Sequence, residues 1–304
     1  MLFAILHFVL ALALAPLLLG VINRAKALAA GRRGQPLLQL YFDLWKLLQK
    51  GAVYSQTTTW VFRAGPVVGL AAVLVALALV PCAGRPGLLT FPGDLLLFAY
   101  VLALLRFFLV AAALDTGSAF EGMGASREEQ FSTLAEPALL LGLAALGRLA
   151  GNFSLAGIYG WLDGPAWVAD GPALALVVVA FLVVLLTETA RVPVDDPNTH
   201  LELTMIHEVM VLDHGGPDFA FIQYTAALKL WALGALLMGV VLPVHPGGLV
   251  LDLAAGLGGL LLLAVLIGLI ESTMARWRLV RLPHFLLGAT ICSALAAVLA
   301  LLLE

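Results

Sequence analysis

Residues 249–270 read LVLDLAAGLGGLLLLAVLIGLI, an apolar run of 22 residues in which Asp252 is the one charged side chain. A helix of about 20 apolar residues crosses a hydrocarbon layer of about 30 Å. The run does not alternate between polar and apolar positions, which favours a helix over a strand of a barrel. The whole chain of 304 residues has the same character, being 62% hydrophobic and 12% charged with a mean hydropathy of +1.05. The sequence therefore predicts an all-α membrane protein.

Eight such runs predict about eight transmembrane helices in a single membrane domain that spans residues 1–304. No internal repeat and no matched pair of interrupted helices is visible, so the sequence does not favour an inverted-repeat transporter. The predicted spans are Leu2–Ile22, Pro66–Cys82, Leu95–Ala113, Leu134–Gly151, Ala173–Thr187, Ala226–Leu242, Leu249–Ile270 and Leu282–Leu303.

Lysine and arginine are concentrated in alternate loops, and this asymmetry predicts the orientation of the chain. The loops after the second, fourth and sixth spans carry only Arg85 and Arg148. The other loops carry twelve basic residues: Arg24, Lys26, Arg32, Arg33, Lys46, Lys50, Arg63, Arg127, Arg191, Arg276, Arg278 and Arg281. Because basic loops remain in the cytoplasm, we expect a multi-pass protein of the cytoplasmic (inner) membrane with both termini on the outer, periplasmic face.

The loop after the first span contains an amphipathic segment. Apolar residues recur at every third or fourth position over Leu37–Leu48, with polar residues such as Asp43 and Lys46 among them. The segment is too polar to span a membrane and fits a helix that lies in the plane of the interface. Two interpretations remain open, a loop helix packed on the bundle and a docking ledge for a peripheral subunit.

Ionisable side chains also occur in or beside the apolar runs. The third span contains Arg106 and is followed by Asp115, and the fourth span is expected to begin near Glu136-Pro137. Charged groups at membrane depth are costly and usually face a partner or water, so these residues are functional candidates. The alternative is a structural ion pair.

The densest polar stretch follows the fifth span and holds six acidic residues between Glu188 and Asp213. Carboxylates crowded in a region of low dielectric influence one another's ionisation, which is what a proton relay requires. His200 and His207 are about 10.5 Å apart along a helix, too far to share one metal ion, so no metal site is predicted. Glu271 lies beside Arg276 at the end of the seventh span. This stretch is either part of the functional site or simply an anchor that follows the positive-inside rule.

The polar stretch resembles the signature of a known family. The pattern E-T-x-R-x-P-F-D followed by E-L is typical of the family that unites the quinone-cavity membrane protein of complex I with the membrane subunit of energy-converting nickel–iron hydrogenases. Residues 188–195 and 202–203 are similar to this pattern. Further similarities point to the hydrogenase branch, as found in formate hydrogenlyase and hydrogenase-4. They lie at residues 32–39, 43–47, 62–63, 105–108, 114–118, 124–128, 136–137 and 271–276.

The resemblance implies a non-catalytic subunit that anchors a peripheral module and couples its redox chemistry to proton or ion translocation. It implies as partners a hydrogenase-like large subunit, an iron–sulfur small subunit, antiporter-like membrane subunits and lipid, with no nucleic acid. Iron–sulfur clusters, with or without a nickel–iron centre, are then expected in the partners. No cofactor or metal is expected in this chain, whose only cysteines are Cys82 and Cys292.

Site residues follow from the resemblance position by position. The candidates for coupling are Glu136, Glu188, Asp195, Glu202, Arg191, Asp115, Arg106 and Glu271. His200 stands where complex I usually has an acid and is a further candidate, because histidine titrates near neutral pH. The candidates for docking are Arg32, Arg33, Asp43, Lys46, Arg127 and Arg276.

Three other functions remain open. The chain could be the quinone-site subunit of an NADH:quinone oxidoreductase, although Val194, Asn198 and the short Gly34-Gln35-Pro36 depart from the complex I pattern. It could be a stand-alone proton or cation transporter, which intramembrane charges alone would permit. It could also be a structural anchor whose carboxylates take no part in coupling.

Overall fold

The computed structural model describes residues 1–195, 205–243 and 247–302. In these ranges the chain forms ten α-helices and two short 3-10 turns, Glu208–Val211 and Leu279–Arg281. The helices are α1 (Leu2–Ala29), α2 (Gln39–Leu48), α3 (Trp60–Leu79), α4 (Asp94–Asp115), α5 (Ala119–Leu149), α6 (Leu155–Trp161), α7 (Gly164–Glu188), α8 (Gly216–Val241), α9 (Leu249–Thr273) and α10 (Leu282–Leu302).

Eight helices of the described residues are long and apolar enough to cross a membrane, which confirms the predicted number of about eight spans. The short helices α2 and α6 are not among them. Because the number of spans is even, the start of α1 and the end of α10 lie on the same side of the bundle, which we call the terminal side. The other side, which carries α2 and the segment after α7, is called the opposite side.

The fourth span is longer than the sequence predicted. A start near Glu136-Pro137 was expected, but α5 begins at Ala119 and Pro137 lies in its interior, so that boundary was wrong. Proline removes one backbone hydrogen bond from a helix, yet a continuous helix still satisfies the remaining backbone groups, as an apolar environment demands. The extra residues add about four turns to α5 on the opposite side. Glu128 and Glu136 therefore belong to one helix.

Close helix packing relies on small residues. A Cβ atom added at Gly65 of α3 would lie 2.8 Å from the Cβ of Ala112 on α4, so the glycine lets the two helices approach. Similarly, a Cβ at Gly268 of α9 would lie 2.8 Å from the carbonyl oxygen of Ile22 on α1. The central helix is α8, which contacts α1, α2, α3, α7 and α9.

The amphipathic segment forms α2, as predicted, and packs against α1 and α8. The chain that leads into it passes close to α1, because a Cβ atom at Gly20 would overlap the carbonyl oxygen of Leu37. The Tyr41 hydroxyl then donates a hydrogen bond to the carbonyl of Ala13 at 2.5 Å. Phe42 and Trp45 remain exposed, as expected of a helix at the membrane interface.

Candidate functional site

A cluster of five charged side chains lies between α4, α5, α7 and α8. Arg106 is at its centre and donates hydrogen bonds to Glu136 at 2.5 Å and to Glu188 at 2.6 Å. Lys229 contacts the second carboxylate oxygen of Glu188 at 2.6 Å, and Glu128 lies 4.0 Å from the Arg106 guanidinium. We call these five residues the charge cluster.

The charge cluster lies at membrane depth. At 1.5 Å per residue, Arg106 is about 18 Å along α4 from Asp94 on the terminal side, and Lys229 is about 18 Å from Val241 at the terminal-side end of α8. Both distances fall inside a hydrocarbon layer of about 30 Å. The side chains of Arg106 and Lys229 are only 6% and 8% exposed.

Ion pairing explains why these charges can be buried. A charge in an apolar layer is costly unless it is paired and hydrogen-bonded, and here each cation has at least one carboxylate within 2.6 Å. With every group ionised, two cations face three carboxylates, so the charge cluster has a formal charge of −1. A helix bundle that needed only rigidity could use apolar residues here, so the cluster is a functional candidate.

A cavity of about 470 Å³ opens directly beside the charge cluster. Arg106, Glu188 and Lys229 line one part of its wall. Polar residues of other elements line further parts, among them Asp43 of α2 and His207 of the segment before α8, and apolar residues such as Leu109 line the remainder. Charged and hydrogen-bonding groups occur along the wall from Arg106 to Asp43 and His207, so the cavity can hold water and connects the buried charges to residues near the opposite side.

A second group of ion pairs holds the opposite-side ends of three segments together. Glu271 of α9 contacts Arg191 at 3.2 Å and Lys26 of α1 at 3.5 Å. Arg276, in the loop after α9, contacts Asp195 at 3.0 Å. These contacts join α1, the segment after α7 and the loop after α9 into one polar layer next to the cavity.

Asp195 also orders the segment that leads into α8. Its second oxygen accepts backbone hydrogen bonds from Ile206 at 3.1 Å and from His207 at 3.2 Å. Arg127 of α5 donates to the carbonyl of Met205 at 2.9 Å and holds the same segment. The other two coupling candidates of this region, His200 and Glu202, lie outside the described residues.

Asp115 is separate from both groups. Its carboxylate accepts hydrogen bonds from the backbone N–H of Thr59 at 2.6 Å, from the Thr59 hydroxyl at 2.9 Å and from the N–H of Phe62 at 3.3 Å. The two N–H groups lack partners within the helix at the start of α3, so the carboxylate caps that helix. Its contribution to coupling stays a prediction.

The docking candidates fall into two sets. Arg32, Arg33 and Lys46 are exposed around α2, and the carbonyl of Arg33 accepts a hydrogen bond from Arg24. Asp43 accepts a hydrogen bond from Gln39 at 3.0 Å and lines the cavity. Arg127 and Arg276 make the intramolecular contacts given above. A role of all six in docking stays a prediction.

Sequence reasoning passed over three members of these groups. Lys229 and Lys26 were used only to orient the chain or define a span, although a lysine inside an apolar run is itself a signal of a buried partner. Glu128 was assigned to a loop, because the fourth span was expected to begin after it. The partners of all three are determined by helices that are distant in the sequence.

A buried histidine lies on the opposite side, outside the membrane spans. The ring of His214 stacks on Phe62 of α3 with centroids 3.9 Å apart and an interplanar angle of 6°. Burial lowers the pKa of His214 to about 4, although the nearby carboxylates of Asp213 and Asp218 act in the opposite direction. His214 is therefore neutral near pH 7.

Together these features define a class: a polytopic helical membrane protein with paired charges buried among its spans and a polar cavity that opens beside them. A sequence profile described as NADH dehydrogenase matches residues 1–302. The chain belongs to that family.

Curated relatives specify the similarity further. The chain is 34% identical to formate hydrogenlyase subunit 4 of Escherichia coli strain K12 over 277 residues, which is 88% of each protein. It is 31% identical to hydrogenase-4 component C of the same strain over 289 residues, or 93% of this chain and 90% of the relative.

A solved structure shows the same fold. It is the membrane-bound sulfane sulfur reductase, an archaeal respiratory membrane complex, of which one chain aligns with a TM-score of 0.84 and 22% identity. The alignment covers 98% of both chains. The relatives confirm the family that the sequence motifs indicated and a multi-pass membrane protein.

Proposed function

We propose that this chain is the membrane anchor and coupling subunit of a hydrogenase-like complex of the formate hydrogenlyase or hydrogenase-4 type. It links redox chemistry in a peripheral iron–sulfur and hydrogenase-like module to the translocation of protons or other ions. The identity to two membrane-complex subunits supports this proposal. The chain itself is non-catalytic, and the iron–sulfur clusters, with or without a nickel–iron centre, belong to the partners.

The observation that carries the proposal is the continuity between the charge cluster and the cavity. Arg106, Glu188 and Lys229 belong to the cluster and also line the cavity. Asp195 and His207 line the same cavity near the opposite side. A polar space therefore joins the side on which a peripheral module docks to ionisable groups at the middle of the membrane.

Electrostatics supplies the coupling. An electron that arrives in a module docked on the opposite side adds negative charge near Asp195, Arg191 and Glu271. Charges interact strongly through a medium of low dielectric, so the carboxylates along the cavity respond by taking up a proton or by changing ion-pair partners. The cavity provides water through which protons reach Glu188.

The orientation follows from the same proposal. The opposite side faces the cytoplasm, because it carries the basic loops and the polar layer on which the peripheral module docks. The terminal side faces the periplasm, and the membrane is the cytoplasmic (inner) one. Labelling of single cysteines placed at residues 2 and 50 in intact cells, with an impermeant reagent, tests this orientation.

The test of function uses the intact complex in proteoliposomes, in which redox turnover and ion movement are measured together. We expect Glu188→Gln to abolish ion translocation per electron while the peripheral module still oxidises and reduces artificial soluble substrates. Glu129→Gln, an exposed acid on α5, is the matched control and should keep full coupling. Full coupling in Glu188→Gln would refute the proposal and favour a purely structural anchor.

A second candidate is a quinone-site subunit, and the cavity volume favours it. About 470 Å³ falls within the range of small-molecule sites, and the matching family is described as NADH dehydrogenase. The ionised side chains of Arg106, Glu188 and Lys229 on the wall favour water over a neutral apolar ring beside them, so we place this candidate second. Saturable binding of a quinone analogue that is lost in Gly69→Leu, a cavity-filling variant, would reverse the order.

A further inference from the structure

Glu136 of the charge cluster is exposed on the lateral surface of the bundle. Its side chain is 41% exposed, whereas those of its partner Arg106 and of Glu188 are 6% and 5% exposed. Glu136 lies about 20 Å along α5 from Leu149 on the terminal side, which is inside the hydrocarbon layer. A carboxylate at this depth that faced lipid alone would be costly.

The surface around Glu136 also has a shape that suits another helix. A small hollow of about 50 Å³ lies between α4, α5 and α7, and Glu136 and Arg106 contribute to its wall. Ala99 and Ala103 of α4 line it one helical turn apart, and Tyr100 is exposed at its edge. Small residues at this spacing allow a neighbouring helix to approach closely in membranes.

Another lateral face of the bundle shows the contrast. From Leu287 to the end of α10 the exposed side chains are all aliphatic, for example Leu287, Ile291, Leu295 and Val298, and the exposed His284 lies at the opposite-side end of the helix. Such a face is matched to lipid and, from Leu287 onward, offers no ionisable group. We call Ala99, Tyr100, Ala103, Glu136 and Leu140 the Glu136 face.

We propose that the Glu136 face is covered by a transmembrane helix of another subunit, and that this helix presents a basic side chain to Glu136 at the same depth. Charge complementarity determines this chemistry, because the charge cluster carries a formal charge of −1 that a single cation would neutralise. The inference rests on the proposed assembly of the chain into a membrane complex.

Other occupants fit the Glu136 face less well. Lipid chains offer no donor at this depth. A second copy of this chain is disfavoured because, within the described part of the chain, the basic residues at membrane depth are Arg106 and Lys229, and both are buried in the charge cluster. Two copies related by a twofold axis at this face would place like charges near each other.

The first experiment maps the occupant in the intact complex. A photoreactive phenylalanine analogue is placed at Tyr100 on the Glu136 face and, as the matched control, at Ile291 on α10. We expect Tyr100 to form an adduct with one transmembrane helix of a different subunit and Ile291 to react with lipid. Lipid adducts only at Tyr100, or an adduct with a second copy of this chain, would overturn the proposal.

The second experiment tests the chemistry of the contact. Glu136→Lys should release the cross-linked subunit during purification, and replacement of the basic residue opposite it by glutamate should restore recovery. Glu136→Gln should weaken association by about 3- to 30-fold, the range that one interhelical hydrogen bond in a membrane supports. A cross-linked helix without a basic residue at this level would refute the charge argument even if the helix docks there.

A separate variant tests the contact without a change of charge, in case the charge variants fail to fold. Ala103→Leu fills the hollow without altering a charge, so it should reduce cross-linking from Tyr100 while the chain remains folded. Failure of this inference and failure of the proposed function give different results. If the complex is recovered and coupled but Tyr100 reacts only with lipid, the docking surface is wrong. If the purified chain alone moves ions, the proposed coupling function is wrong.

Discussion

The ion pair between Glu188 and Lys229 provides the sharpest test of the charge cluster. The two groups are 2.6 Å apart, and both side chains are at most 8% exposed. Glu188→Gln leaves the lysine without its carboxylate, and Lys229→Met leaves the carboxylate with Arg106 alone. Removal of one member of a buried ion pair costs about 3–5 kcal/mol of unfolding free energy.

The double variant should cost much less than the sum of the single changes. With both charges removed, Arg106 still binds Glu136 at 2.5 Å, and neither a cation nor a carboxylate is stranded. A buried ion pair can often be replaced by uncharged groups at little net cost. We therefore expect a coupling energy of at least about 2 kcal/mol between the two positions.

The assay is reversible unfolding of the purified chain in mixed micelles of a mild detergent and dodecyl sulfate. Glu129→Gln, at an exposed position of α5, combined with Lys229→Met is the control cycle and should be additive within about 0.5 kcal/mol. Additive costs for Glu188→Gln and Lys229→Met would refute the close pairing of these two side chains. Additivity would also remove the physical basis for a proton or ion site shared by Glu188 and Lys229.

Three further predictions concern other parts of the fold. Gly20→Ala should destabilise the chain by at least about 1 kcal/mol because its Cβ would overlap the carbonyl oxygen of Leu37, whereas Gly288→Ala, with no atom within 4 Å, should be neutral or stabilising in the same unfolding assay. The pKa of His214 is about 4 in the folded chain and about 6.5 in the unfolded chain, so the unfolded chain binds the proton first as the pH falls. The free energy of unfolding should therefore drop by about 2 kcal/mol from pH 7 to pH 5, and His214→Gln should reduce that drop. Asp115→Ala should cost about 1 kcal/mol through loss of the cap on α3. A loss of coupling per electron in the folded variant would support the coupling role that the family resemblance implies, whereas full coupling would limit Asp115 to the cap.

Much of the candidate site could be predicted from residue type and motif. Arg106 and Glu136 were recognised because charged residues in or beside apolar runs are costly, and Glu188 because it begins the polar stretch that carries the family signature. The structure brings all three within one set of hydrogen bonds. Arg191 and Glu271 were also recognised and form a pair. Residue type cannot supply partners, however, and the contacts of Lys229 and Lys26 depend on how the helices pack.

Boundaries were less predictable than spans. Pro137 suggested the start of a helix, but α5 continues through it because a break in the apolar layer would expose more backbone groups than one missing N–H. The same error separated Glu128 from the charge cluster. The exposure of Glu136, which defines the Glu136 face, has no signal in the sequence because exposure depends on which neighbours pack against a helix.

The sequence by itself determined that the helices lie in a lipid bilayer, how many spans there are, and to which family the chain belongs. Long unalternating apolar runs have only one stable form in a bilayer, and the order of polar motifs between them is specific. Tertiary structure alone decided that Glu188 pairs with both Arg106 and Lys229, that a cavity opens beside them, and that Asp115 caps α3. These features depend on distances between helices far apart in the chain, and helix packing, not local hydropathy, determines such distances.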